Sequence, residues 1–251
     1  LPICIVAMQR AHPSASALNA PFVHRVTTGL PWVSAKWAQT IDGAIAAHGG
    51  ASRWISSERL RRMVHRERGR VDAVLTGIGT VLADDPQLTP RGVTKRRTPM
   101  RVVFDPELTI PLEAALVASA DRVPLLIAAH PEAITRRHDH AARLRERGVV
   151  LIEVEGPLHA LLLILARDHG VSRLLVESGG GLLGALEREN IINERWVVIS
   201  PRLAGAPGAP RAIRGFEPAT PDDMRRHTLA GAWQRGDEMV LLYRNLEGPR
   251  A

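Results

Sequence analysis

The amino-acid sequence predicts an α/β protein in which a mixed, mostly parallel sheet is flanked by helices. Short apolar runs typical of buried strands recur at 73–75, 102–104, 125–128, 149–154 and 174–176. Patterns typical of helices lie between several of these runs, which favours parallel strands joined by crossover helices. Two later strands are predicted at 196–200 and 238–243. No clear helix separates them, so we expect an antiparallel edge there.

The first residues differ in composition from the rest of the chain. Residues 1–29 mix proline, alanine, serine and threonine without a sustained period. We therefore predict an N-terminal extension over 1–29 and a single domain over 30–251. Within that domain we expect a strand at 33–38, followed by a turn at 40–43 and a glycine-containing loop at 48–52.

Three helices are expected outside the glycine-rich turns. The first begins where Ser56 or Ser57 can act as an N-cap. Its apolar face carries Leu60, Met63 and Val64. A polar helical pattern covers 131–147, and a strongly apolar one covers 158–167 and ends at Gly170. Most arginines near the first helix occupy its other faces and are expected to be solvated.

Composition excludes several classes of function. The chain has 251 residues and a formal charge of +7, with 24% charged and 45% hydrophobic residues, which is ordinary for a globular protein. Arginine supplies most of the positive charge, because Lys36 and Lys95 are the only lysines. No long basic run is interleaved with aromatics, so we predict no nucleic-acid binding. No run of about 18 apolar residues occurs, so no membrane span is expected.

The chain offers few residues for metal or nucleophilic chemistry. Cys4 is the only cysteine, which rules out an intrachain disulfide and any zinc site built on two thiolates, and favours the reducing cytoplasm. His138-Asp139-His140 lies in a charged segment, where a solvated surface turn is favoured over a metal site. A nucleophile elbow and a Walker phosphate loop are both absent from the sequence.

Two glycine-bearing turns follow predicted strands. One is Glu-Ser-Gly-Gly-Gly-Leu-Leu-Gly-Ala at 177–185, and the other is Thr-Gly-Ile-Gly-Thr at 76–80. Ligands of parallel sheets gather at the carboxyl ends of strands, where a following helix presents backbone N–H groups to a phosphate. The spacing is not G-x-G-x-x-G, so close packing between helix and sheet is an alternative explanation of the glycines at 177–185. The turns favour a dinucleotide site and hydride transfer.

Four sequence blocks together resemble a known family. They are Lys-Trp-Ala-Gln-Thr-Ile-Asp-Gly at 36–43, Ser-Arg-Trp-Ile-Ser at 52–56, the block at 72–91 that ends in Ala-Asp-Asp-Pro-Gln-Leu-Thr-Pro-Arg, and Val-Glu-Ser-Gly-Gly at 176–180. In this order, over roughly 31–245, they resemble the reductase domain of the bifunctional riboflavin-biosynthesis deaminase/reductase. The resemblance implies a dihydrofolate-reductase-like fold, usually dimeric. It also implies that NADPH reduces the ribosyl group of 5-amino-6-(5-phosphoribosylamino)uracil to a ribityl chain.

The resemblance also implies roles for individual residues. It assigns NADPH binding to Ala38, Trp54, Thr80, Asp84, Gly179, Gly180, Gly181, Leu182, Leu183, Gly184 and Ala185. It assigns substrate binding to Ser52, Arg68, Leu88, Arg91 and Glu177. Lys36 and Glu177 would face the ribose as the catalytic pair. The plainer alternatives are a strand-edge surface lysine for Lys36, a helix-start carboxylate for Glu177, and surface arginines for Arg68 and Arg91.

The sequence departs from the family pattern in three places. The family's deaminase domain needs His-x-Glu and Cys-x-x-Cys, so a chain with one cysteine is expected to be a reductase-only protein or a fragment. Thr40-Ile41 replaces the commoner Ser-Leu, and Asn193 replaces an aspartate. Relatives of the family act on pterins, so a pterin or another heterocycle is the alternative substrate. A binding module without turnover is the alternative from a different class.

Overall fold

The computed structural model describes residues 13–49, 55–94, 97–205 and 207–245. Cys4 and two predicted site residues, Ser52 and Trp54, lie outside these ranges. The strands within them are β1 (Trp32–Thr40), β2 (Ala73–Gly77), β3 (Met100–Phe104), β4 (Leu125–Ala129), β5 (Val149–Glu153), β6 (Arg173–Val176), β7 (Glu194–Ser200), β8 (His227–Arg235) and β9 (Glu238–Asn245).

The α-helices of the described residues lie mostly between these strands. They are α1 (Pro13–Thr28), α2 (Glu58–Arg68), α3 (Ile78–Asp84), α4 (Pro131–Arg136), α5 (His138–Glu146), α6 (Leu158–His169) and α7 (Gly180–Arg188). No helix in this part of the chain combines the length and the apolar character needed to cross a bilayer.

All nine described strands form one sheet, in the order β5-β4-β3-β2-β6-β1-β7-β9-β8. The pairs from β5 to β7 are parallel, whereas β9 is antiparallel to both β7 and β8. Every residue of β2 and β4 is buried, as expected for strands covered on both faces. The mixed, mostly parallel sheet and its antiparallel edge confirm the predictions.

The core lies on both faces of the sheet. On one face, Val33, Leu75 and Val176 pack with the apolar sides of α6 and α7. On the other face, a second cluster forms beneath α4 and α5, and a smaller one joins Leu60 of α2 to Val198 and Val240. Because β2, β6 and β1 are neighbouring parallel strands, their carboxyl ends lie side by side.

Four details of the secondary structure correct the sequence predictions. The turn predicted at 76–80 continues as helix α3, and the surface turn predicted at His138-Asp139-His140 is the exposed start of α5. The helix predicted at 131–147 is divided at Arg137, which has φ −108° and ψ 37°. Strand β8 was not predicted; it is exposed along most of its length, so its sequence lacks a buried apolar face.

The predicted N-terminal extension contains helix α1. Arg25 of this helix donates a hydrogen bond to the carbonyl of Ala166 in α6 (2.7 Å), and His24 makes an edge-to-face contact with Trp32 at 5.6 Å between ring centroids. Helix α1 therefore lies against the amino-terminal end of β1, away from the carboxyl edge of the sheet.

Candidate active site

Lys36 and Glu177 lie on the same face of the sheet, on neighbouring parallel strands. Ser34 of β1 is in register with Leu175 of β6, and each of the two candidate residues comes two positions later. With the two-residue alternation of a strand, both side chains then point towards α2. Strand β1 lies between β6 and β7, so Lys36 occupies a central strand and not the sheet edge.

Arg68, at the end of α2, forms a bidentate ion pair with Glu177. The distances are 2.6 Å from Nε to Oε1 and 3.0 Å from Nη2 to Oε2. The two side chains are only 12% and 14% exposed. Burial by itself raises the pKa of Glu177, but the charge and hydrogen bonds of Arg68, aided by Lys36, outweigh it and lower that pKa. Glu177 is therefore an ionised carboxylate at neutral pH.

The ammonium group of Lys36 is surrounded by charges of both signs. Its pKa is lowered first by burial; Glu177 and Glu238 raise it again, and Arg68 lowers it. Lys36 forms no direct ion pair with any described carboxylate. An amine whose pKa is lowered by burial, and which has no fixed partner, is suited to donate a proton or a hydrogen bond to a ligand.

The loop at 85–91 is fixed to α2 by His65, a residue that the sequence did not single out. Its Nδ1 lies 3.2 Å from the carbonyl oxygen of Thr89 and 3.3 Å from the backbone nitrogen of Arg91. Arg68 also donates from Nη1 to the Thr89 carbonyl, at 3.3 Å. His65 stands three residues before Arg68 on the same helix face, and this spacing is the signal that could have identified it.

Two predicted substrate residues lie in that loop, with different exposure. Leu88 is buried and has φ 54°, in the left-handed region that residues other than glycine rarely adopt. A substrate would therefore meet the backbone at Leu88 and not its side chain. Arg91 is exposed, and its Nη1 lies 3.4 Å from Oε1 of Gln87. Its guanidinium therefore remains on the surface of the loop at 85–91.

The two glycine-bearing turns are joined by reciprocal hydrogen bonds. The N–H of Gly77 donates to Oγ of Ser178 at 3.2 Å, and the N–H of Gly179 donates to Oγ1 of Thr80 at 3.0 Å. The sequence did not predict a role for Ser178, although it lies between two predicted site residues. These bonds hold the starts of α3 and α7 together at the carboxyl edge of the sheet.

The glycines of α7 have two different roles. A Cβ atom at Gly180 would lie 2.4 Å from the carbonyl oxygen of Arg211, and one at Gly184 would lie 1.7 Å from that of Arg214. These two positions require glycine for close packing, which is the alternative explanation raised from the sequence. Gly181 is exposed, and a Cβ there would meet only Nη2 of Arg214, at 3.5 Å. The first turn of α7 is therefore open to solvent at Gly181.

The remaining predicted cofactor residues differ in their exposure to solvent. Leu182 and Leu183 are buried in the core, and Ala185 is partly exposed. Ala38 lies on the Lys36 face of β1, beside the cluster formed with α2, and Asp84 ends α3 as a partly exposed residue. The structure thus brings together Lys36, Arg68, Glu177, Thr80 and Gly179. The side chains of Leu182 and Leu183 face the interior.

The chain is similar to riboflavin biosynthesis proteins. It is 34% identical over 191 residues to RibD of Aquifex aeolicus, a match that covers 76% of this chain and 52% of that protein. It is 34% identical over 204 residues to RibD of Bacillus amyloliquefaciens, covering 80% and 54%. The solved structure of Acinetobacter baumannii RibD has a TM-score of 0.80 at 28% identity, covering 93% and 63%. The chain therefore spans about half the length of the curated relatives it matches.

A family match covers both the sheet and the candidate site. The family described as the RibD C-terminal domain matches residues 31–241, a range that includes Lys36, Arg68 and Glu177. This match confirms the family predicted from the four sequence blocks, and the strand order confirms the predicted mixed, mostly parallel sheet. The chain belongs to the RibD C-terminal domain family.

Proposed function

We propose that this chain is an NADPH-dependent reductase of riboflavin biosynthesis. Its substrate would be 5-amino-6-(5-phosphoribosylamino)uracil, whose ribosyl group is reduced to the ribityl form. The observation that carries the proposal is the position of Lys36 beside the Arg68–Glu177 pair, on the strand next to β6, whose carboxyl end leads into α7. Membership of the RibD C-terminal domain family supports it.

The start of α7 fits a cofactor phosphate. Its N-cap residue is Gly179, which has no side chain to cap the N–H groups of the first turn, and Gly181 in that turn is exposed. Backbone N–H groups and the helix dipole at such a position favour a bound phosphate. The Nη2 atom of Arg214 lies close to Gly181, which adds a positive charge. We infer that these groups hold the cofactor pyrophosphate, with Thr80 fixing the turn.

The remaining predicted contacts to NADPH come from the family resemblance. They are assigned to Ala38, Trp54, Asp84, Gly180, Leu182, Leu183, Gly184 and Ala185. Because the side chains at Leu182 and Leu183 are buried, any contact there would go through the backbone. The charge of Arg214 beside this turn favours an anionic dinucleotide, and the preference for NADPH over NADH rests on the family resemblance.

When bound, NADPH supplies the hydride, and the residues of the chain supply orientation and a proton. Glu177, held ionised by Arg68, can accept hydrogen bonds from ribose hydroxyls. Lys36 can donate a proton to the ribose ring oxygen as the ring opens, because its lowered pKa favours release. We propose these roles for the catalytic pair predicted from the sequence: Glu177 positions the ribose, and Lys36 donates the proton.

The substrate phosphate would lie on the outer side of this pair. Arg91 is exposed in the loop that His65 and Arg68 hold, so its guanidinium can turn towards a bound phosphate. Ser52, Leu88 and Arg68 complete the predicted substrate contacts. A pterin has no phosphate and would not use Arg91, which makes this residue a means of separating the two candidate substrates.

We further propose that the protein is a homodimer in the cytoplasm. Strand β8 is the edge of the described sheet, and its Leu229 and Trp233 are 52% and 38% exposed. An exposed edge strand with large apolar side chains is suited to pair with a second copy. The single cysteine of the sequence is consistent with a reducing compartment.

The test is a titration of NADPH and of NADH into the protein, with and without the phosphoribosylaminopyrimidine, followed by product analysis. We expect NADPH to bind more tightly than NADH, the substrate to strengthen its binding, and the ribityl product to form. Turnover of a dihydropterin in place of the pyrimidine would assign the chain to the alternative substrate. Absence of binding by either nucleotide would reject the reductase.

A further inference from the structure

Glu238 is a buried carboxylate at the carboxyl edge of the sheet, outside the set of residues that the sequence singled out. It begins β9 and is only 5% exposed. Its side chain lies on the same face as Val240, which packs with Leu60 of α2. We propose that Glu238 is a positioning residue that fixes the start of α2 and supports the positive charge of Lys36. This proposal rests on the proposed reductase function.

Glu238 contacts the start of α2 directly. Its Oε1 accepts a hydrogen bond from the backbone N–H of Ser57 at 2.8 Å. Ser57 is the N-cap of this helix, and its own Oγ accepts from the N–H of Leu60 at 3.4 Å. A carboxylate at a helix start is also favoured by the helix dipole. The contact therefore fixes where α2 begins relative to the sheet.

Helix α2 is thus held at both ends by carboxylates of the sheet. Glu238 binds its start, and Glu177 binds Arg68 at its end. Lys36 lies on the strand between them, since the strand order places β1 after β6 and before β7 and β9. Lys36 and the two ends of α2 therefore face the same two carboxylates.

Glu238 also acts on the charge of Lys36. It raises the pKa of Lys36, as Glu177 does, against the effects of burial and of Arg68. The other charged groups near this face line a small cavity that reaches Lys36: Glu67 from α2, Arg173 from β6 and Glu194 from β7. Glu67 is paired with Arg70 and Glu194 with Arg244, at 2.7 and 2.6 Å. These two acids are therefore largely neutralised by their own partners.

Lys36 lies between two carboxylates, Glu177 and Glu238. Each favours the ammonium form, but neither forms a direct ion pair with it in the described part of the chain. The proton of Lys36 is retained without being committed to a protein acceptor, so it is available to a ligand. Glu177 is itself expected to touch the ribose, whereas Glu238 acts through Lys36 and α2.

The chain allows a direct test, because Lys36 and Lys95 are its only lysines. Protein labelled with ¹³C at the lysine ε carbon gives two side-chain signals, and Lys95→Arg assigns the one from Lys36. In Glu238→Gln the amide oxygen can still accept from Ser57 while the charge is lost. We expect the Lys36 signal to titrate at lower pH in this variant, with little change in unfolding temperature.

Two further variants separate charge from contact. Asp237→Asn removes a charge from the exposed neighbour of Glu238 and should leave the Lys36 titration unchanged. Glu238→Asp keeps the charge but shortens the side chain by one methylene, so the contact with Ser57 is lost. We expect it to lower the unfolding temperature and to keep the Lys36 titration close to that of the unmodified protein.

Activity gives a second measurement. Glu238→Gln should move the alkaline limb of the kcat/KM profile to lower pH and leave the NADPH dissociation constant unchanged. An unchanged Lys36 titration in Glu238→Gln would overturn the proposal. If that variant does not fold, a shifted Lys36 titration in Glu238→Asp would overturn it instead. The titration needs no turnover, so failure of the reductase assay in the unmodified protein would be a separate result.

Discussion

Arg68 and Glu177 connect the end of α2 to the carboxyl end of β6 through two hydrogen bonds, of 2.6 and 3.0 Å. The residues are 109 positions apart in the chain, and both side chains are mostly buried. Removing one partner of such a pair typically costs about 3–5 kcal/mol, because the other charge is left buried. Activity losses in variants of Arg68 or of Glu177 therefore need to be separated from unfolding. Lys36 has no such fixed partner among the described residues.

The first prediction concerns the catalytic pair. Lys36→Ala removes the proton donor, and Glu177→Gln removes the charge that orients the ribose. Because general acid–base groups contribute about 10²–10⁴-fold, each variant should lower kcat at least about 100-fold. The NADPH dissociation constant should change less than about threefold, since the phosphate contacts are elsewhere. Steady-state kinetics and a fluorescence titration of NADPH measure the two effects.

The control for Lys36→Ala is Lys95→Ala, which changes the chain's other lysine and should retain turnover. Equal losses of turnover and of NADPH affinity in Lys36→Ala would contradict the role given to Lys36. Such a result would instead indicate that Lys36 shapes the cofactor site.

The second prediction separates the glycines of α7. Gly184→Ala would place a methyl group 1.7 Å from the Arg214 carbonyl oxygen, so the free energy of unfolding should fall by about 1–3 kcal/mol. Gly181→Ala meets only the flexible end of Arg214 at 3.5 Å and should change stability by less than about 0.5 kcal/mol. It should nevertheless weaken NADPH binding about tenfold, because the phosphate approaches the backbone there.

Chemical denaturation and NADPH titration of both variants test these expectations. Equal stability of the two variants would exclude close packing as the reason for Gly184. Unchanged NADPH affinity in Gly181→Ala, with the fold intact, would place the cofactor phosphate elsewhere.

The sequence predicted most of the sheet because buried strands have a clear apolar signal. β2 and β4 are buried at every residue, and their apolar runs stand out from the flanking turns. β8 lacks that signal, because an exposed edge strand has no apolar face and contains Gly231. The sequence predicts a turn at 76–80 in place of helix α3, because the seven residues of this helix include Gly79 and are too few to show a helical period.

The sequence predicted only part of the candidate site, because several of its contacts join residues that are far apart in the chain. Lys36 and Glu177 were found through sequence blocks, but their common face depends on the pairing of β1 with β6, which no local pattern specifies. His65 and Glu238 were missed because they act through contacts with residues 24 and 181 positions away. The role of Gly184 depends on the approach of Arg214, which is also a tertiary contact.

The third prediction concerns pH. The pKa of His65 is lowered by burial and then by Arg68 and Arg91, so the folded protein keeps this ring neutral. The unfolded chain binds a proton near pH 6.5. Stability from His65 is therefore fully present above that pH and is lost as the pH falls through it. His65→Gln should show a smaller drop in unfolding temperature between pH 7.5 and 5.5 than the unmodified protein.

His24 and His227 also have lowered pKa values and remain in both proteins, so the difference isolates His65. The matched control is His138→Gln, at an exposed position that should leave the pH dependence unchanged. An identical pH dependence in His65→Gln and in the unmodified protein would mean that His65 does not hold the 85–91 loop in its neutral form.

The fourth prediction tests the edge of the sheet as a contact between two copies. Trp233 of β8 stacks on Trp196 of β7, with ring centroids 6.1 Å apart, and Leu229 lies four residues earlier on the same strand. Leu229→Arg puts a charge on the outer strand, and like charges at a self-complementary contact would repel. Sedimentation should show a dimer for the unmodified protein and a monomer for this variant. Leu203→Arg, at a 74% exposed leucine outside the sheet, is the control and should remain dimeric. If Leu229→Arg stays dimeric, the two copies meet through another surface. If the unmodified protein is a monomer at micromolar concentration, β8 is an unpaired edge and the dimer proposal is wrong.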